Sequence, residues 1–125
     1  MVEYDLLVKN GTVVTAADTF HADVAIRDGR IIALLDDADV GLADSVIDAT
    51  DRLVLPGGIE GHCHIDEPSF GGAKLADDFE SGSRAAVCGG TTTIIPFAQQ
   101  IEGMSLRQAV DDYHTKAAGK SVADY

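Results

Sequence analysis

Residues 53–66, LVLPGGIEGHCHID, form an apolar run that ends in two histidines one residue apart. The run predicts a β-strand. Because side chains alternate across a strand, we expect His62 and His64 to project from one face and Cys63 from the other. Residues two apart on a strand lie about 6–7 Å from each other at their Cα atoms, so both imidazoles can reach one cation. The spacing predicts half of a metal site, although a hydrogen-bonded structural pair would show the same pattern.

The composition predicts a globular protein that binds neither nucleic acid nor membranes. The chain has 125 residues, 46% of them hydrophobic, with 9 basic and 21 acidic side chains and a net charge of −12. No basic surface is available for phosphates, and no apolar run approaches the length of a membrane span, about 18 residues. Residues 1–5 lack the basic start of a signal peptide. Cys63 and Cys88 fall within predicted regular elements, which indicates reduced thiols and a cytoplasmic protein.

Residues 1–52 are predicted to form a small antiparallel sheet, one layer of a β-sandwich. The turn dipeptides at 10–11 (Asn-Gly) and 28–29 (Asp-Gly) supply the positive φ angles of two-residue hairpins. His21 is the one histidine of this part, and it stands apart from other potential ligands. The β-rich runs are 5–9, 12–15, 23–27, 30–35 and 45–48.

Residues 53–125 are predicted to alternate strands with helices. A first helix is capped by Asp77 or Asp78 and ends at Gly89–Gly90, and a buried strand follows at 91–98. A second helix ends at Gly119, and another strand begins at 122–125. The order and spacing indicate parallel α/β architecture, with two complete βα units and the opening of a third. The histidine pair then lies at the carboxyl end of the first parallel strand, where α/β barrels build their active sites.

The expected buried faces of the two helices follow a helical period. In the first helix the apolar or small positions are Phe79, Gly82, Ala86 and Val87. In the second, Ser105 and Gln108 form a capping box ahead of a buried stripe. That stripe comprises Leu106, Ala109, Val110, Tyr113 and Ala117.

Several blocks of sequence, in this order, carry a resemblance to a known family. They are 54–68 (VLPGGIEGHCHIDEP), 70–72 (FGG), 76–86 (ADDFESGSRAA) and 89–95 (GGTTTII). Together they resemble the dihydropyrimidinase and D-hydantoinase family of cyclic amidohydrolases, and the resemblance extends from the first strand to Tyr125.

The resemblance implies an eight-stranded α/β barrel flanked by a small β-sandwich. Residues 1–52 would be the amino-terminal part of the sandwich, and residues 53–125 the first two βα units and the start of the third strand of an incomplete TIM-type barrel. It also implies two divalent ions per complete site, usually zinc, with His62 and His64 among their ligands. The remaining ligands, including a carboxylated lysine, two more histidines and an aspartate, would come from later strands outside this chain.

The reaction that the resemblance implies is hydrolysis of the ring amide of dihydropyrimidines or 5-substituted hydantoins, with metal ions that activate water and polarise the carbonyl. Asp66, which we expect on the same strand face as His62 and His64, stands where dihydroorotases carry an arginine for the substrate carboxylate. Its negative charge would repel such a carboxylate, so a dihydroorotase is disfavoured. Phe70 lies in the loop expected to line the substituent pocket, and we expect it to contact substrate, unless it packs under the loop. Glu67-Pro68 is nearer the allantoinase pattern, which keeps that activity as an alternative.

We expect the isolated chain to be an amino-terminal fragment or a piece that needs a complementing chain. A full barrel takes about 250 residues, and a catalytic zinc site uses three protein ligands. The chain alone is therefore predicted to be inactive, and the completed protein to be a homo-oligomer. The alternative is a non-catalytic structural or assembly relative of the family, against which the presence of both His62 and His64 argues.

Overall fold

The computed structural model describes residues 3–68 and 73–125, which divide after Pro56 into two compact units. The division falls later than the predicted boundary between residues 52 and 53. The reason is that Leu53–Val54 forms a short strand that pairs with the first strand of the chain, so these residues belong to the first unit. The second unit begins at Gly57.

The first unit is a mixed sheet. Strand order is β3-β2-β1-β4, with β5 also paired to β1. The first three strands are antiparallel neighbours, whereas β4 and β5 run parallel to β1. The prediction of an all-antiparallel sheet was wrong, because a 3₁₀ turn at Val40–Leu42 returns the chain to the start of β1 before β4 begins. The strands are β1 (Tyr4–Val14), β2 (Thr19–Arg27), β3 (Arg30–Leu35), β4 (Ala43–Asp48) and β5 (Leu53–Val54).

The two turn dipeptides of the first unit behave differently. Asp28 and Gly29 have φ angles of 51° and 69°, so the predicted hairpin between β2 and β3 is confirmed. The predicted turn at 10–11 was wrong. Asn10 takes a φ of 63° inside the continuous strand β1, where the register shifts as in a β-bulge. Gly11 allows a close approach of β5, since a Cβ there would lie 2.4 Å from Val54 Cγ2.

The second unit has the predicted order of strand, helix, strand and helix. Strands β6 and β7 pair in parallel. Of the predicted third strand, the structure describes a single parallel bridge, which pairs Asp124 with Thr93. The elements are β6 (Gly58–Cys63), α1 (Phe79–Cys88), β7 (Thr91–Pro96) and α2 (Leu106–Ala117).

The helix ends follow the predicted capping residues. The Asp78 carboxylate accepts the Ser81 backbone N–H at 2.9 Å, and the Ser81 hydroxyl accepts the Asp78 N–H at 3.1 Å. In α2, the Ser105 hydroxyl accepts the backbone N–H of Gln108 at 3.2 Å, and no return bond from the Gln108 side chain is seen among the described residues. Gly90 and Gly119 adopt positive φ just beyond α1 and α2.

The core of the second unit lies between β7 and the two helices, and part of the predicted apolar stripe of α2 faces away from it. Leu106 and Val110 are 69% and 45% exposed, contrary to prediction, because no described element packs against that face. In the same way Ile95 is 55% exposed although β7 was expected to be covered on both faces. The buried cluster comprises Ile65, Phe79, Ile94, Tyr113, Ala117 and Ala123. Within residues 3–68 and 73–125 no helix is long and apolar enough to cross a membrane.

Candidate metal centre

The two histidines lie at the carboxyl end of β6. His62 is the penultimate residue of the strand, and His64 follows directly after its end. Because β7 runs parallel to β6, with Cys63 opposite Pro96, the first residue after β7, Phe97, comes next to the histidines. The exit of both strands therefore gathers three rings at one edge of the sheet.

The two imidazoles lie side by side. Their centroids are 5.3 Å apart and their planes are inclined by 60°. Two imidazoles that bind one zinc through nitrogens about 2.0–2.1 Å away, at a tetrahedral angle, have centroids about 5 Å apart. The two rings lie together at the end of β6, at a separation compatible with a shared divalent ion.

Phe97 supports both imidazoles. Its ring centroid lies 4.6 Å from that of His62 in an edge-on contact, and 5.0 Å from that of His64 in a stacked contact with 9° between the planes. The backbone N–H of Phe97 donates to the carbonyl of Cys63 at 3.3 Å. Sequence reasoning did not single out Phe97. The clue was its place directly after the strand that neighbours the histidine strand.

Glu67 is the second residue that sequence reasoning did not connect to the site. Its Oε1 lies 2.7 Å from Nδ1 of His64. The Glu67 side chain is only 10% exposed, whereas that of His64 is 54% exposed. Because Nδ1 is engaged by a carboxylate, Nε2 is the ring nitrogen of His64 that remains open to a cation. The clue in the sequence was a carboxylate three residues after the second histidine.

Asp66 is placed differently from the prediction. It was expected to share a strand face with the histidines, but β6 ends at Cys63 and Asp66 has a φ of 50° in the turn beyond. Its carboxylate lies 3.7 Å from Nζ of Lys116. The case against a carboxylate substrate, which relied on Asp66 facing the site from the strand, is therefore not supported by this geometry.

Cys63 stands between the two histidines in the sequence. Its side chain is half-buried. Burial, together with the negative charges of Glu60 and Glu67, raises the pKa of its thiol, and a backbone hydrogen bond at Ile95 offsets this only in part. These contributions favour the thiol over the thiolate.

The described part of the chain brings together two candidate ligands, His62 and His64, rather than a complete centre. Among these residues, no group of three or more histidine, cysteine, aspartate or glutamate side chains is arranged to hold a metal ion. Phe70, the predicted substrate contact, lies outside the described residues. His21, in the first unit, has Thr12 Oγ1 3.4 Å from its Nδ1.

Comparison with known proteins identifies relatives over nearly the whole chain. It is 49% identical over 123 residues to a D-hydantoinase of Streptomyces coelicolor and 51% identical over 119 residues to a D-hydantoinase of Geobacillus stearothermophilus. It is 46% identical over 120 residues to dihydropyrimidinase 2 of Caenorhabditis elegans. These alignments cover 95–96% of this chain but only 23–26% of the relatives. No family model matches the chain.

Solved structures agree. A crystal structure of a D-hydantoinase superposes with a TM-score of 0.89 at 48% identity, covering 95% of this chain and 25% of that one. A dihydropyrimidinase from Brevibacillus agri superposes with a TM-score of 0.88 at 47% identity, with the same coverage. The described residues thus share the fold of the corresponding part of enzymes that are named as cyclic amidohydrolases. The chain belongs to the D-hydantoinase and dihydropyrimidinase family, and it spans about a quarter of the length of the relatives it matches.

Proposed function

We propose that the chain is the amino-terminal part of a binuclear, metal-dependent cyclic amidohydrolase. In this proposal the second unit provides the first two βα units and the start of the third strand of an eight-stranded barrel, and the first unit belongs to a small β-sandwich. The observation that carries the proposal is the adjacent imidazoles of His62 and His64 at the carboxyl end of β6. Active sites of such barrels lie at that end of the strands.

His62 and His64 would hold a divalent ion, most simply zinc, with the other ligands supplied by chain beyond these residues. When bound, metal ions of this kind activate water and polarise a carbonyl. In this proposal the residues of this chain bind the ion and hold the imidazole rings in position. The two imidazoles fix the ion at the strand exit, and Phe97 limits the rotation of both rings.

The names of the relatives point to the substrate class. D-hydantoinases and dihydropyrimidinases share ring amides as substrates, so the completed protein would hydrolyse the ring amide of a hydantoin or a dihydropyrimidine. Phe70 stays a predicted contact to the ring substituent. An allantoinase-like substrate is the alternative to be separated by assay.

A chimera tests the proposal. The matching quarter of the Geobacillus stearothermophilus D-hydantoinase is replaced by this chain, and hydrolysis of hydantoin, dihydrouracil and allantoin is measured with zinc supplied. We expect activity toward the first two rings, and its loss in His62→Ala and His64→Ala. The other two histidines of the chain, His21 and His114, are exposed and provide the controls. His21→Ala and His114→Ala should leave the rate unchanged.

Two results would count against the proposal. A chimera that stays active after both His62 and His64 are replaced removes them from the metal site. A chimera that folds and binds zinc but is inactive on every ring favours the non-catalytic assembly relative.

The chain by itself is expected to show no turnover with zinc, because two protein ligands are fewer than a catalytic zinc site uses. Turnover by the chain alone would refute that part.

A further inference from the structure

We infer that Glu67 is a positioning residue that sets the tautomer and the orientation of His64, so that its Nε2 is presented to a metal ion. The inference depends on the proposed metal role of His64. It starts from the 2.7 Å contact between Glu67 Oε1 and His64 Nδ1. A carboxylate accepts hydrogen bonds and cannot donate one, so the contact requires the proton on Nδ1. A neutral imidazole with its proton on Nδ1 has its lone pair on Nε2.

The burial of the two partners supports a positioning role over an ordinary surface ion pair. Glu67 is 10% exposed, so its carboxylate has few alternative partners in solvent, while His64 is 54% exposed and can receive a ligand. The face of the His64 ring stacks on Phe97. The ring is thus held at one edge and on one face, and no hydrogen bond to its Nε2 is found among the described residues.

The turn that brings Glu67 to His64 is itself held in place. Asp66 adopts a φ of 50° at a bend of the chain after β6. Its backbone N–H donates to the carbonyl of Asp77 at 3.1 Å. Its own carbonyl accepts a hydrogen bond from Nζ of Lys116, in the last turn of α2, at 2.5 Å. These bonds hold a residue in a conformation that non-glycine residues rarely adopt, and the next residue is Glu67.

Metal-binding histidines are commonly held in this way by a carboxylate on the second ring nitrogen. The partner fixes the tautomer and makes the binding nitrogen more basic, and its loss weakens metal binding by about 10- to 100-fold. Glu67 would do this for His64. For His62, the described contacts are of another kind, because Glu60 Oε1 accepts its backbone N–H at 2.9 Å and not a ring nitrogen.

The experiment measures the tautomer of each histidine and the affinity for zinc in the same samples. Long-range proton–nitrogen correlation spectra of the isotope-labelled chain, at about pH 8 where an ordinary imidazole is neutral, assign the proton to Nδ1 or Nε2. Zinc alone is then titrated while the ring nitrogens are followed. The variants are Glu67→Ala and Glu67→Gln, with His64→Ala as the reference for loss of the ligand.

The expected result is an Nδ1–H tautomer for His64 in the wild type and a shift toward Nε2–H in Glu67→Ala. Zinc affinity should fall by about 10- to 100-fold in Glu67→Ala. Glu67→Gln keeps an acceptor oxygen, so it should retain the Nδ1–H tautomer and recover part of the affinity. The matched control is Glu80→Ala, which removes an exposed carboxylate that contacts Arg84 at 3.3 Å and should change neither readout.

The outcomes separate the inference from the proposed function. If His64→Ala abolishes zinc binding while Glu67→Ala changes neither tautomer nor affinity, the positioning role of Glu67 is overturned and the metal role of His64 stands. If His64→Ala leaves zinc binding unchanged, the proposed metal role fails, and the positioning role fails with it. Should Glu67→Ala lose the amide spectrum of the folded unit, the comparison of Glu67→Gln with the wild type decides, because a tautomer that is Nε2–H in both contradicts the inference.

Discussion

Asp23 is a buried charge in the first unit, and its replacement should destabilise that unit strongly. Its side chain is 4% exposed. Oδ1 accepts the backbone N–H of Asn10 and Oδ2 that of Ala38, both at 2.8 Å, and Nζ of Lys9 lies 3.2 Å from Oδ2. One carboxylate therefore ties the bulge of β1 and the segment after β3 to β2.

The expected loss of stability in Asp23→Ala follows from the groups that lose their hydrogen-bond or ion-pair partner. Two backbone donors lose their acceptor, each costing about 1–3 kcal/mol where water cannot replace it, and breaking a buried ion pair costs about 3–5 kcal/mol in total. Because these contributions overlap, we expect the free energy of unfolding of the first unit to fall by about 3–5 kcal/mol. That is a large share of the stability of an ordinary domain, about 5–15 kcal/mol.

The effect should also depend on pH. Burial alone would raise the pKa of Asp23, but hydrogen bonds from Ala38, Asn10 and Lys9 outweigh it and hold the pKa below its ordinary value. A carboxyl whose pKa is lowered in the folded state adds stability above its unfolded pKa and loses it as the pH falls through the folded pKa. The difference between wild type and Asp23→Ala should therefore be full at neutral pH and shrink below about pH 4.

Amide hydrogen exchange followed by NMR, with urea added in steps, measures the stability of the first unit residue by residue. Asp37→Ala is the matched control. Asp37 contacts the same lysine, Lys9, at 2.9 Å but its side chain is 94% exposed, and exposed ion pairs add little to stability. We expect near-wild-type protection in that variant. Equal effects of Asp23→Ala and Asp37→Ala, or an effect of Asp23→Ala that grows as the pH falls, would refute the reasoning.

Two further changes test the packing of the second unit. Phe79→Ala removes a side chain that is 1% exposed and should lower the free energy of unfolding by about 3–5 kcal/mol. Val87→Ala, at a 41% exposed position of the same helix, should lower it far less. Urea unfolding followed by circular dichroism compares the two variants. Gly57→Ala places a Cβ 2.0 Å from Thr92 Oγ1 and should cost about 1–3 kcal/mol through overpacking. A melting temperature of Gly57→Ala at or above that of the wild type would contradict this.

Local patterns in the sequence predicted the helix ends and the strand–helix alternation because those features depend on neighbours in the chain. Asp78 and Ser105 cap α1 and α2 through residues three positions away. The dipeptide at 10–11 shows the limit of such reasoning. Asn-Gly suits either a hairpin or a bulge, and the choice is settled by partners distant in sequence, the carboxylate of Asp23 and the side chain of Val54.

The same distinction holds at the candidate site. His62 and His64 could be predicted because their relation needs only the alternation of one strand. The positions of Phe97 and Glu67 could not. The first depends on the register between β6 and β7, and the second on the left-handed turn at Asp66 that α2 holds through Lys116. The exposed apolar residues of α2 were also beyond a periodicity argument, which identifies an apolar face but not what covers it.

Anomalous diffraction at the zinc edge, from crystals of the zinc-loaded chimera, tests the central claim most directly. The account predicts a peak about 2.0–2.1 Å from one ring nitrogen each of His62 and His64, with Nε2 as the binding atom of His64. Zinc bound elsewhere, or imidazoles turned apart with no peak between them, would contradict it.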